Sequence, residues 1–516
     1  MVLIKCNLRN IAVLSLITIL FNYCSAQSVI VYPSPAQNFR KISDKYIVNI
    51  IQKGIKKRSF VYKSSAAGGS RREWGREQNN NFHFTTFSFS GRITIEVLKL
   101  NSPASSVTIL PSRLQIPAIA TVAENKNKKV IFNLNRPAKI SVEFDDDPNY
   151  KDALMIFADK LENSVDIPDK NDSDIFYVTD SISLKKISPD KAIVYFAPGE
   201  YQIGYWNIPS HIKHIYITGG AYVKGYLNIE TGNSIKINGR GILSNEGYAY
   251  HYPSLGPIRE DSKYWYKMIN IKQGQNIIIE GITLTEASAN NIRVAGKDVL
   301  IKNVKIHGFR YNNDGISIHG SGNEISDCFI RVNDDAIVPY TSRLSVNKCV
   351  FWQLQGSIVQ LGWTPHSMDS INIFNCDVIH DKATNSEGNV GFINAMNYTR
   401  SNEEATIKNV NVNNIYFDTP ILRFLDIRSD RNFRLIDYAS SVSLPWLYEN
   451  FHFKNIYFSK KVNINPLIYL HGFSHDLPLS NFTFENIYIN DTKISSEKMN
   501  DSSFINTKNT NEVQIR

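Results

Sequence analysis

The feature that most constrains the fold is a recurring unit in the second half of the chain, in which a polar residue or glycine is followed by an apolar–X–apolar triplet. It reads Gly281-Ile282-Thr283-Leu284, Asn303-Val304-Lys305-Ile306, Asp327-Cys328-Phe329-Ile330 and Lys348-Cys349-Val350-Phe351. It continues as Asn375-Cys376-Asp377-Val378, Asn414-Ile415-Tyr416-Phe417, Asn455-Ile456-Tyr457-Phe458 and Asn486-Ile487-Tyr488-Ile489. The first apolar positions are spaced by 22, 24, 21, 27, 39, 41 and 31 residues. Alternation over so few positions marks a strand with one buried face. A strand-bearing unit of about 22 residues that stacks on its neighbours describes a solenoid, and the long late spacings read as loops inserted between strands. The leucine pattern and helices of a horseshoe and the Trp/Asp punctuation of a propeller are missing. A right-handed parallel β-helix is therefore predicted over residues 181–516. Cys328, Cys349 and Cys376 hold one inward position on consecutive coils, which favours stacked buried thiols over a disulfide.

Residues 27–180 alternate differently. Phe82-His83-Phe84, Ile93-Thr94-Ile95-Glu96-Val97, Val130-Ile131-Phe132 and Ile140-Ser141-Val142 are separated by turn residues at irregular intervals. That pattern predicts an antiparallel β-sandwich and makes the whole chain all-β. At the N-terminus, Lys5 and Arg9 precede an apolar run over residues 11–21, and Cys24-Ser25-Ala26 supplies small residues. Residues 1–26 read as a secretory signal peptide cleaved after Ala26, too short in its apolar part to span a bilayer. The expectation is a secreted protein, extracellular or periplasmic, without membrane insertion, acting as a monomer.

The formal charge of +9 has no dominant Lys/Arg block, so nucleic acid is not an expected partner. No Cys/His spacing suggests a metal, and Asp145-Asp146-Asp147 lacks the spacing of a calcium loop. Neither a metal nor a cofactor is expected.

The sharpest local signal is acidic. Asn312-Asn313-Asp314-Gly315-Ile316-Ser317-Ile318 is followed by Val332-Asn333-Asp334-Asp335-Ala336-Ile337-Val338. Asp314 and Asp334 are 20 residues apart, close to one coil, so they are expected at the same place on successive rungs about 4.8 Å apart. Carboxylates that close raise the pKa of one member. A protonated acid beside an ionised base is what glycoside hydrolysis requires. Asp and Asn also cap turns for purely structural reasons, which accounts for isolated positions but less well for Asp-Asp following Asp-Gly by one coil.

Asn313-Asp314-Gly315, Asn333-Asp334-Asp335 and Val359-Gln360-Leu361-Gly362-Trp363-Thr364-Pro365 resemble the dextranase/isopullulanase family, glycoside hydrolase family 49. Phe196-Ala197-Pro198-Gly199-Glu200-Tyr201, Gly219-Gly220-Ala221-Tyr222-Val223-Lys224-Gly225 and Asn238-Gly239-Arg240-Gly241 extend the likeness. The resemblance implies an N-terminal β-sandwich joined to a parallel β-helix, and an inverting hydrolase with three catalytic aspartates. On that footing Asp334 is the expected general acid, with Asp314 and Asp335 holding the attacking water. Val338-Pro339 departs from the family pattern, which carries a basic residue near position 338. The related polygalacturonases also need Gly-His-Gly and Arg-Ile-Lys, which this chain lacks.

Tyr311, Tyr340 and Trp363 are candidates to stack on sugar rings; Asn290 and Gln360 are candidates to bind sugar hydroxyls. Arg423 and Asp426 are weaker candidates, and His319 and His366 have no evident partner. The expected activity is endo-acting, dextranase-like hydrolysis of a neutral α-glucan. The alternatives are a polygalacturonase-like pectin hydrolase, a polysaccharide lyase, or a non-catalytic carbohydrate-binding β-helix.

Overall fold

The computed structural model describes residues 28–65, 81–123, 126–148, 150, 152–180, 183–248, 267–310, 313–361, 363, 366–382, 389–397, 404–432, 446–459 and 466–516. The expected signal segment and Tyr311 lie outside the described residues. No helix among the described residues is long and apolar enough to cross a membrane.

Two sheets face each other in the N-terminal part. One has Asn81–Phe89 and Asp152–Lys160 at its centre, flanked by Val29–Val31, Val61–Ser65, Ala138–Phe144 and Val107–Leu110. The other orders Ile55–Ser59, Tyr46–Gln52, Ile93–Lys99, Asn127–Leu134 and Ala118–Ala123. Strict alternation of buried and half-buried positions in Tyr46–Gln52 and Ile93–Lys99 turns one face inward. Val48, Ile50, Ile95, Val97, Phe132, Ile140 and Val142 fill the space between the sheets. The pairing is antiparallel except between Asn81–Phe89 and Asp152–Lys160, which run parallel.

The remainder is a parallel β-helix of strands in register coil after coil. One ladder runs through Ile316–Ile318, Ile337–Pro339, Val359–Leu361, Ile393–Asn397, Leu425–Asn432 and Ile468–His471. Its inward residues join a continuous apolar core that includes Cys328, Cys349 and Cys376, which are free and buried.

The polar residue that opens each repeat has a specific conformational task. Gly281, Asn303, Asp327, Lys348, Asn375, Asn414, Asn455 and Asn486 all adopt positive φ, between 51° and 85°. They are the corners between two strand directions, a conformation Gly and Asn tolerate best. In the last coils the corner asparagines also bond to one another. The Nδ2 groups of Asn414, Asn455 and Asn486 donate to Oδ1 of the preceding corner at 3.0, 3.1 and 3.0 Å.

The outer face of the sandwich docks on the helix through a second apolar cluster. Phe82, Phe84, Met155 and Phe157 meet Phe329, Trp352 and Ile379 there. At its edge the buried Asp159 lies 2.5 Å from Lys305 and 3.2 Å from Arg240, both nearly sealed from solvent.

Candidate active site

Three acidic side chains meet where the chain enters the ladder containing Ile316–Ile318 and Ile337–Pro339. Ile316 pairs with Ile337, so the residue in register with Asp314 is Asp335. The expectation that Asp314 aligns with Asp334 is off by one residue: counting from acid to acid ignores the strand register, which the apolar pair sets. Asp334 sits one position earlier, on the turn. Two glycines allow this crowding. A Cβ on Gly315 would lie 2.3 Å from the Ala336 carbonyl oxygen, and one on Gly356 would lie 2.8 Å from Asp334 Oδ1.

The register builds a column of polar residues at one offset from the strands. Lys267 pairs with Asn290, and Asp314, Asp335 and Ser357 follow at the same offset on later coils. Asn290 Nδ2 donates to Asp314 Oδ2, and Asn291 Nδ2 donates to the Asp314 carbonyl at 2.8 Å. Asp314 and Asp334 are partly exposed, whereas Asp335 is 1% exposed. Asp335 is held by four donors: Ser357 N at 3.0 Å, Ser357 Oγ at 2.8 Å, Trp363 Nε1 at 2.6 Å and Asn389 Nδ2 at 2.5 Å.

These surroundings give the acids different ionisation. Burial, then the charge of Asp335, pushes Asp334 up to about 8. Burial and the two neighbouring acids hold Asp314 well above the ordinary carboxylate value, against the pull of Lys267 and Asn290. Asp335 is also raised by burial, but its donors from Asn389, Trp363 and Ser357 work in the opposite direction. Of the three, Asp335 is the best supplied with groups that favour a negative charge. Burial and the nearby Arg293 bring Lys267 down to about 8.

The other expected residues fall around this cluster. Tyr340 is partly exposed and stacks on His319 with ring centroids 4.4 Å apart and 13° between planes, while His366 meets its edge at 5.4 Å. The two histidines expected to lack partners are thus parts of one aromatic wall. Burial, followed by the charge of Arg293, lowers His319 to about 3, leaving it neutral. Trp363 is partly exposed and uses its indole N–H on Asp335. Gln360 is fully buried, with Oε1 3.2 Å from Ser357 Oγ. It is closed to solvent rather than open to a substrate. Two coils beyond, Arg428 forks onto Asp426 and Arg423 lies 3.6 Å from it.

Lys267, Ser357 and Asn389 escaped the sequence reading. Lys267 precedes Ile269 as Asp314 precedes Ile316, and these isoleucines share one ladder, so Lys267 was findable from register. Asn389 enters from an insertion, where spacing carries no information. Val338 is buried, and Lys267, on an earlier coil, supplies a positive charge near Asp314. Among the described residues no group of three or more His, Cys, Asp or Glu side chains is arranged to hold a metal ion.

No family model matches the chain. It is 24% identical over 401 residues to isopullulanase from Aspergillus niger, covering 69% of this chain and 70% of that protein. It is 29% identical over 256 residues to dextranase from Arthrobacter globiformis, covering 45% of this chain and 40% of that protein. Its fold superposes on Dex49A from Penicillium minioluteum with a TM-score of 0.69 at 20% identity, over 94% of this chain and 96% of that one.

Proposed function

We propose that this chain, which is similar to an isopullulanase and to dextranases, is a secreted polysaccharide hydrolase of glycoside hydrolase family 49. Its substrate is a neutral α-glucan, cut internally with inversion at the anomeric carbon. The observation that carries this reading is the gathering of Asp314, Asp334 and Asp335 from two successive coils, with Asp334 pushed up to about 8.

An acid with that pKa is protonated at neutral pH and partly exposed, as a proton donor must be. Asp334 gives its proton to the glycosidic oxygen as the bond to the anomeric carbon breaks. A water attacks that carbon from the opposite face. Its oxygen becomes the new anomeric hydroxyl, and its released proton passes to the carboxylate of Asp335 or Asp314. Asp335, with four donors on its oxygens, is the better stabilised negative charge. Tyr340 and Trp363 border the acids with aromatic surface, and Asn290 fixes Asp314. Secretion rests on residues 1–26, and the protein acts as a monomer.

The test is a panel of dextran, pullulan, other glucans, galactans and pectin, read by reducing-end release, with Asp334→Asn as control. Release from a glucan that disappears in the variant supports the reading. Products absorbing in the ultraviolet would identify a lyase, release from pectin alone would move the substrate to acidic galactans, and no release at all would leave only a binding protein.

A further inference from the structure

A set of amide groups lies beside Asp335 on the side of the later coils. Gln360 and Asn394 are register partners on adjacent strands. Their neighbours Val359, Leu361, Ile393 and Ala395 belong to the inward-facing core, so both amides project to the outer face. Yet both are fully buried. Gln360 reaches Asp335 through Ser357, whose Oγ lies 3.2 Å from Gln360 Oε1 and 2.8 Å from Asp335 Oδ1. Asn389 touches Asp335 directly through Nδ2, and Asn394 Nδ2 donates at 3.2 Å to the carbonyl of Val390, the residue after Asn389.

The other ends of these three amides have no hydrogen-bonding partner. Gln360 Nε2, Asn394 Oδ1 and Asn389 Oδ1 are all sealed from solvent and unmatched. A buried amide atom left without a partner costs about 1–3 kcal/mol, so three on residues that lead from Asp335 through Asn389, Ser357 and Val390 point to a ligand they share. One donor and two acceptors are the complement of a single water molecule, which donates twice and accepts from an N–H. Buried waters typically make about three such bonds.

We propose that Asn389, Gln360 and Asn394 form a water site beside Asp335 that supplies the hydrolytic position, an assignment that rests on the hydrolase reading above. Each turnover consumes one water: its oxygen and one hydrogen become the anomeric hydroxyl, and its other proton goes to a carboxylate. Gln360 and Asn394 are positioning residues in this scheme. They touch the water and not the sugar.

Two measurements test it. The first is a high-resolution crystal structure of the full chain, in which ordered density within hydrogen-bond distance of the three amide ends is expected. The second is the kinetics of Asn394→Leu, which removes one acceptor and fills the space, beside Asn394→Ser, which keeps an oxygen and leaves room. The leucine variant is expected to lose kcat on the order of 10²-fold, as misplacing a reactant does, with KM within about twofold of wild type. The serine variant is expected to recover most of kcat. Gln360→Met serves if the leucine variant does not fold. The proposal is overturned by a higher KM at unchanged kcat, which would make this a sugar subsite, by kinetics unchanged in both variants, or by no density at the amides. If wild type releases sugar from no polysaccharide, the hydrolase reading falls, while the crystal structure still decides whether the water site exists.

Discussion

Burial does more than mutual repulsion to set the ionisation of the three aspartates: loss of hydration is the first cause of the upward shift in each. What separates them is the supply of donors. Asp334 → Asn removes the proposed acid without changing its shape, and hydrolysis of an unactivated glucan should fall by about 10²–10⁴-fold. In wild type, kcat/KM should fall as pH rises through about 8, because the acid must be protonated; a flat alkaline limb would contradict the assignment. Trp363→Phe removes a donor that favours the charged form of Asp335. The pKa of Asp335 should then rise further, and the acid limb of kcat/KM should move to higher pH. The same acids have a consequence for stability. A carboxyl whose folded pKa is raised stabilises the fold most below its unfolded value near 4, and that contribution disappears as pH rises through the folded value. Asp334→Asn should therefore raise Tm by roughly 2 °C at pH 8 and by less at pH 4, as thermal melts at the two pH values would reveal.

At the scale of strands and corners, the chain advertises its own geometry. The residue before each apolar triplet is the left-handed corner, and the identity of that residue, mostly Asn, Asp or Gly, follows from which side chains tolerate positive φ. Asn414→Ala should cost about 1–2 kcal/mol from the backbone alone, and it also breaks the ladder to Asn375 and Asn455; a denaturant titration measures the loss. Gly315→Ala should cost about 1–3 kcal/mol, since its Cβ has no room beside Ala336. These corners and triplets were legible because they recur. The site was legible in identity but not in register: Asp314, Asp334 and Asp335 stand out as acids, yet only the pairing of Ile316 with Ile337 shows which two align. The stacking of His319, Tyr340 and His366 was invisible for the same reason, since each lies on a different coil and only the ladder brings them together.

For the whole molecule, the sandwich is joined to the helix by contacts between residues far apart in sequence. Apolar packing of Phe82, Phe84 and Phe157 against Phe329 and Trp352 supplies the area. Asp159, between Lys305 and Arg240, supplies a buried charge match. No local pattern announces such a pairing, because Asp159 is the last residue but one of the sandwich strand Asp152–Lys160 and Lys305 opens a solenoid strand 146 residues later. Asp159→Asn leaves the buried Lys305 without its carboxylate and Arg240 with Glu162 alone at 3.9 Å, and should cost about 3–5 kcal/mol, seen as a lower denaturation midpoint. The similarity to isopullulanase spans 69% of the chain, and the chemistry proposed here rests on the helix. The stereochemistry of the first product tests it most directly. Proton NMR of glucan hydrolysis at early times should show the β-anomer accumulating before mutarotation. An α-anomer as first product would contradict water attack opposite Asp334 and with it the roles given to all three aspartates.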